Sequence, residues 1–341
     1  MKCIPKFISI ICLALILSIL TTGCGKDNGD TAAIRWELAT HNTANTIYWQ
    51  ELTDFADAIR ERTDGRLDIS VRGGGELPFK GNEFLRVVSD NTIQMAEVPL
   101  GYVSGDISAS IVPSWPMMAG TAEQLELLLP ALSDITNQEL SDKNFNVEIM
   151  CSYGVPLQVF WGVGEPVNSV SQLKGKNVRV FSAESAEILT AMGANAVSLS
   201  ASEVVPSIQR RVIDAAVTGV TYADEAKWYD VCDWGYMLPL CGSVSHVIVN
   251  NEAMASLPQD IQDIVREEAE KLRQQNVELA KTSIATSLEN LEANGMVINY
   301  PTEDDVSYME NLASSYWEKW AENGGETVQE ALTIARETLG Y

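Results

Sequence analysis

The sequence predicts an α/β protein whose two lobes face each other across a cleft. Three observations carry that expectation. The order strand, helix, strand, helix, strand occurs twice, the second run beginning about 140 residues after the first. Each run implies parallel strands with helices packed on the sheet faces. The length of 341 residues exceeds what one ordinary core accommodates. Finally, a helical pattern runs unbroken from Pro258 to Ala293, about 50 Å at 1.5 Å per residue, too long for one small lobe.

The first run opens with the strand RWELAT. Thr46 to Thr63 follows as a helix, with Tyr48, Leu52, Phe55, Ala56 and Ile59 on one face, Asn45 or Thr46 as its cap and Gly65 beyond its end. RLDISV, Arg66 to Val71, alternates as a strand; GGGELP breaks the pattern. Asn82 to Ser89 is a short helix and IQMAEV, Ile93 to Val98, a strand. In the second run NVRVF is a strand, Ser185 to Met192 a helix, NAVSL a strand, Ser202 to Arg210 a helix and DAAVTG, Asp214 to Gly219, a strand. In the long helix Ile261, Ile264, Val265, Leu272, Ala280, Ile284, Leu288 and Leu291 are the apolar positions. Leu257-Pro258 starts it and Asn294-Gly295 stops it. MVINY reads as a strand, and Val306 to Glu322 as a surface helix carrying Tyr316, Trp317 and Trp320.

The N-terminus is a leader rather than fold. Lys2 and Lys6 precede an apolar run from Phe7 to Leu20, and LTTGC follows. That run is too short to span a bilayer comfortably. Cys24 at the cut matches the lipobox of bacterial lipoproteins, with Thr21 where leucine is usual; the alternative is a plain signal peptide that happens to contain a cysteine. Without residues 1–23 the chain holds 21 basic and 47 acidic residues, about −26. So acidic a surface argues against nucleic-acid binding and against a grip on anionic lipid. The lipid on Cys24 would be the membrane contact. Cys151, Cys232 and Cys241 remain; the last two flank DWGYMLPL and are candidates for a disulfide in an oxidising compartment.

No catalytic constellation emerges. The two histidines, His41 and His246, have no partners at triad spacing, and GxSxG, HExxH and a Walker loop are missing. GVGEPV lacks the third glycine of a dinucleotide fingerprint. No Cys/His ligand spacing is present. An enzyme is therefore not expected, nor a cofactor or a metal. One charge stands out: Arg179, between Val178 and Val180 near a strand end, in LKGKNVRVFSAES. It either pairs with Glu184, Glu187 or Glu203, or receives an anion.

Five fragments in order carry a family resemblance: ELATHNTAN with FADAIRERTDGRLDISV, GGGELPFKGNEFL, VSQLKGKNVRV, ASEVVPSIQRRVIDAAVTG and NNEAMASLPQDIQDIV. Over roughly residues 34–305 the chain resembles the solute-binding subunit of tripartite ATP-independent periplasmic (TRAP) transporters, the DctP-type proteins. The resemblance implies a two-lobed periplasmic-binding-protein-like fold with parallel-rich sheets, β-strand hinges and a long helix bridging both lobes. It implies residues 1–23 as leader, 24–33 as lipidated start and tether, 34–155 plus 244–282 as lobe I, and 156–243 plus 283–341 as lobe II. It further implies an extracytoplasmic receptor that closes over a small organic acid and delivers it to membrane permease subunits. A tethered binding protein feeding a signalling receptor is the alternative, and a surface enzyme a more distant one.

In the family the arginine of the KGKNVRV-type strand pairs with the substrate carboxylate, here Arg179. Its planar fork fits a carboxylate with two parallel bonds. Where many relatives carry a second arginine this chain has Val159, with Gln158 and Trp161 nearby. That departure favours a ligand with one carboxylate and a larger apolar or hydroxylated body. His41 is either a neutral donor to the ligand or a cap on the next helix. Thr218 and Tyr222 fall where relatives place polar contacts, Glu97 and Trp115 lie on segments facing the cleft, and Trp161 and Trp228 are either walls or, as unassigned tryptophans more often are, core.

Overall fold

A computed structural model describes residues 33–44 and 46–341. The leader, Cys24 and the tether lie outside the described residues. The first βαβαβ run is realised as β1 (Ile34–Ala39), α1 (Ile47–Arg62), β2 (Leu67–Arg72), α2 (Phe84–Ser89) and β3 (Met95–Pro99). Thr46 caps α1, its hydroxyl accepting the Trp49 amide at 3.3 Å. This satisfies one of the donors that a helix start leaves without an intrahelical partner. The expected apolar face of α1 is buried. Two helices follow, α3 (Ala122–Ala131) and α4 (Ser133–Asp142), then the long strand β4 (Val147–Gly162).

The second run is β5 (Asn177–Val180), α5 (Ala183–Ala191), β6 (Asn195–Ser198), α6 (Val204–Gln209) and β7 (Ala215–Gly219), continued by α7 (Val220–Glu225) and a second long strand, β8 (Trp234–Asn250). The chain ends with α8 (Asn251–Ser256), α9 (Gln259–Ala293), β9 (Val297–Asn299), α10 (Glu303–Gly324) and α11 (Glu326–Leu339).

The described strands form one sheet in the order β2-β1-β3-β8-β4-β7-β5-β6, with β9 beside β8. Pairing is parallel within each run and antiparallel where β3, β8, β4 and β7 meet. The two runs are thus half-sheets of one sheet, and β4 and β8 belong to both. The register sets the consequence. β3 ends at Pro99 opposite Ser245 of β8, and β7 ends at Gly219 opposite Gln158 of β4, which pairs with Cys241 of β8. Only four residues of β8 separate these two points, about 14 Å of strand. The carboxyl ends of the half-sheets therefore converge on one waist. The β4/β8 ladder is irregular there, between Val155 and Gln158, and Leu157 takes a positive φ of 51°.

Helix α9 runs across this waist. Ile261, Val265, Ala269 and Leu272 enter the core of the first half-sheet, with Trp36, Leu52 and Phe55. Leu291 enters that of the second, with Ile284 and Leu288 packed against it. A third core covers the opposite face of both halves.

Two expectations are corrected, and one helix was not anticipated. The helix read as a surface element, α10, buries Trp317 and Trp320. Trp317 Nε1 donates to the Pro116 carbonyl at 3.0 Å, and Trp320 meets Trp115 edge-on at 5.4 Å. Helix α11, which was not foreseen, packs on α10, α3 and α4. Finally, Cys151, Cys232 and Cys241 are free thiols, and Cys232 and Cys241 belong to different cores. Seven residues of β8, roughly 20 Å, separate Trp234 from Cys241, while a disulfide needs Cα atoms within about 7 Å.

Candidate ligand site at the waist

Where the strand ends converge there is a cavity of about 600 Å³, counting its mouth. Its position outside the carboxyl ends of strands is where open α/β sheets bind ligands. Of the residues expected from the sequence, His41, Glu97, Gln158, Arg179, Thr218 and Tyr222 line it. Trp161 does not. It is buried behind β7, its Nε1 donating to the Thr218 carbonyl at 3.1 Å. Trp228 is likewise core, edge-on to Tyr222 at 6.2 Å, and Trp115 is buried at the α10 contact.

At the first-half end, Glu97 of β3 is 1% exposed. Its Oε2 accepts the Thr40 hydroxyl at 2.9 Å and the Asn42 amide at 3.4 Å, and His41 Nδ1 lies at 2.8 Å. Burial is the largest single influence on Glu97 and would raise its pKa. The His41 charge and hydrogen bond, then Ser245 and Thr40, outweigh it and hold the carboxyl below its ordinary value. This carboxylate is paired within the protein. His41 faces Glu97 and meets the Tyr102 ring edge-on at 5.8 Å; the cap of α1 is Thr46.

At the second-half end, Arg179 of β5 is 2% exposed. Its Nε donates to the Leu199 carbonyl and its Nη1 to the Val217 carbonyl, both at 2.9 Å. Its guanidinium lies 5.9 Å from the Phe181 ring centre. No carboxylate among the described residues pairs with it. Glu187 pairs with Lys319 and accepts Trp320 Nε1, and Glu203 accepts the Ser200 hydroxyl at 2.6 Å. The structural ion pair that the sequence left open is therefore not formed, and Nη2 has no acceptor among the described residues.

The remaining wall is polar and aromatic. Gln158 donates to the Val155 carbonyl at 3.2 Å, which fixes its amide beside Gly219. Burial, then Tyr102, push the Tyr222 phenol up to about 12, so it is a neutral donor at any physiological pH. Sequence reasoning missed Asn42, Tyr48, Tyr102, Tyr153 and Ser245. Tyr48 read as core because it shares the apolar face of α1. Tyr153 lies on a long strand that carried no clear alternation. Among the described residues no group of three or more His, Cys, Asp or Glu side chains is placed to hold a metal ion. None of the described helices is long and apolar enough to cross a membrane.

Two half-sheets converging on a lined waist, with one long helix across it, define the class: a two-lobed α/β fold of the periplasmic-binding-protein type. The chain belongs to the bacterial extracellular solute-binding proteins, family 7 (DctP), whose family model matches residues 38–323. A solute-binding protein of Albidiferax ferrireducens is 26% identical over 170 residues, 49% of each chain, so the match spans about half the length of that relative. Among solved structures, an extracytoplasmic solute receptor of Bordetella pertussis binding pyroglutamic acid superposes with a TM-score of 0.83 at 22% identity. That match covers 89% of this chain and 100% of the other. A marine-metagenome TRAP solute-binding protein from an unidentified microbe, specific for pyroglutamate, gives 0.82 at 21% identity over 89% and 99%. These structures share the fold.

Proposed function

We infer that the chain is the extracytoplasmic receptor of a TRAP-type secondary transporter. It binds a small organic acid with one carboxylate at the waist and delivers it to a membrane permease. The observation that supports this most directly is Arg179, a buried cation with two neutral carbonyl partners and no carboxylate in contact with it. Burying a charge without an opposite partner is costly, and arginine does not escape the cost by losing its proton. A ligand carboxylate completing the fork offsets that cost, each charge-assisted bond contributing about 1.5–3 kcal/mol. The compounds named for the structural relatives, pyroglutamic acid and pyroglutamate, carry one carboxylate on a compact ring. Gln158, Thr218 and Tyr222 supply polar contacts for such a body, and Glu97 with His41 forms the far wall.

In this reading β4 and β8 are the hinge, bending near residues 155–158 and 241–244. Lobe I comprises 34–155 and 244–282 and lobe II comprises 156–243 with the start of 283–341; α11 stays with lobe I because it packs on α3 and α4. Residues 1–23 are removed, and a lipid on Cys24 tethers the receptor through 24–33. A thermal-shift screen of organic acids tests the function, since a ligand stabilises by RT ln(1 + [L]/Kd). The expected result is a shift with a monocarboxylate such as pyroglutamate that vanishes in Arg179→Ala. A panel of organic acids with no stabilising member would refute the reading. Release of a Cys24→Ser protein from the membrane fraction is the separate test of the anchor.

A further inference from the structure

The waist cavity is not the only space between the half-sheets. A second cavity, about 880 Å³ including its open mouth, lies beside it, lined by Lys80, Asn82, Ser104, Ser198, Leu199 and Glu203 among others. Two side chains line both cavities, Tyr102 and Phe181. They occupy matched positions. Tyr102 closes the short turn directly after β3, and Phe181 is the residue directly after β5. One comes from each half-sheet.

Both rings are held in place. A Cβ on Gly101 would lie 2.6 Å from Phe181 Cδ2, and one on Gly81 would lie 2.8 Å from Tyr102 Cδ2. Only glycine lets the backbone approach the rings so closely. Tyr102 is further fixed by the edge-on contact with His41 and by accepting the Ala201 amide at 3.4 Å from the other half. Phe181 lies under the Arg179 guanidinium.

We propose that Tyr102 and Phe181 form a partition that sets the maximum length of the ligand, by separating the inner cavity at Arg179 from the outer one. This rests on the carboxylate-receptor reading, because it fixes one end of the ligand at Arg179. A ligand held there ends against the two rings, and its length is limited by them rather than by the volume between the half-sheets. Removing either ring merges the two spaces, so that a longer tail passes through into the outer cavity.

The test is calorimetric titration of the full chain with straight-chain monocarboxylates of four to ten carbons, alongside pyroglutamate. The native protein should show an affinity that rises with chain length and then falls at a cut-off. In Phe181→Ala and Tyr102→Ala the cut-off moves to longer chains, each added methylene beyond the native limit tightening binding about fourfold instead of weakening it. Tyr102→Phe keeps the ring and keeps the native cut-off. Phe181→Leu, the milder change should Phe181→Ala fail to fold, moves it part of the way. Reading the cut-off within each variant removes the loss of the Arg179–Phe181 contact, which weakens every member of the series alike. Identical cut-offs in the native and alanine proteins, with binding intact, overturn the partition and leave the receptor reading standing. Failure of native protein and variants to bind any acid overturns both.

Discussion

The two ends of the waist cavity are built on opposite principles. At the first-half end Glu97 is buried, yet its Oε2 meets Thr40, His41 and Asn42 within the protein. At the second-half end Arg179 is just as buried, yet its contacts are two neutral carbonyls and no carboxylate touches it; Glu203 acts on it only through space. A charge that the protein satisfies by itself is a wall, shaped before the ligand arrives. A charge that the protein leaves without a counter-ion carries affinity for one. On the proposed function, Arg179 is singled out by what its neighbours do not supply, not by its charge.

The largest expected effect breaks the second end. Arg179→Met keeps the length of the side chain and removes the fork. Losing two charge-assisted bonds of about 1.5–3 kcal/mol each weakens carboxylate binding on the order of 10²–10⁴-fold. Because the guanidinium is buried without a counter-ion, the ligand-free variant should be as stable as the native protein or more so. Arg179→Lys retains a weak remnant, since a point charge cannot make the bidentate contact. Titration and ligand-free melting on the same samples separate the two effects. A strongly destabilised ligand-free Arg179→Met would mean that the arginine is structural after all.

Glu97→Gln tests the first end, and its effect is placed the other way round. An amide there turns one acceptor into a donor facing Thr40, His41 and Asn42. Stability should fall by about 1–3 kcal/mol, read from the urea midpoint, while affinity falls less than in Arg179→Met. The contrast between the ends disappears if Glu97→Gln costs affinity without costing stability.

The asymmetry was half visible in the sequence. Arg179 stood out as a charge between Val178 and Val180 near a strand end, but the residues alone left an ion pair and an anion site both open, and the family resemblance supplied the ligand role; the half-sheets were legible from clean alternation and helix periodicity. Glu97 could be placed at a strand end, but its partners Thr40 and Asn42 come from a turn 55 to 57 residues earlier. No local pattern announces such a contact. The strands β4 and β8 were not legible as single elements. β8 is buried almost throughout, which removes the polar alternation, and Gly154, Pro156 and Gly242 interrupt the patterns. Trp161 and Trp228 were left between wall and core, because a tryptophan near a cleft invites the first reading and is more often the second. Convergence of the strand ends brings the carboxyl-terminal residues of β3, β5 and β7 to the cavity, and leaves Trp161 behind them.

A pH-dependent effect sharpens the comparison where the two halves touch. Glu225 at the end of α7 accepts the Ile47 amide at the start of α1, at 3.0 Å. Glu51 lies one turn further along α1. Burial first, then neighbouring acids, push both carboxyls up to about 7. An acid whose folded pKa is raised holds its proton longer in the folded state, so folding is favoured at low pH and loses ground as pH rises from about 4.5 to 7. Glu51→Gln removes that loss. Its melting temperature should exceed the native value at pH 8 and match it near pH 5. An equal difference at both pH values would show that Glu51 carries no raised pKa.

The last comparison concerns a base that meets the same burial as Arg179 by the opposite route. His246 on β8 is 5% exposed, and its Nδ1 lies 2.8 Å from the Ser152 hydroxyl. Burial pushes its pKa down to about 4, so it is neutral where Arg179 must remain charged. A base with a lowered folded pKa takes its proton first in the unfolded chain. Its contribution to stability is complete above about 6.5 and is lost as pH falls to about 4, at roughly 1.4 kcal/mol per pH unit. His246→Gln should be less stable than native at pH 7, through loss of a fitted buried ring, but the gap should narrow steadily as pH falls through that window. A constant gap would mean that His246 is charged in the fold. The protein would then bury two cations without counter-ions, and the isolation of Arg179 would no longer mark it as the ligand's partner.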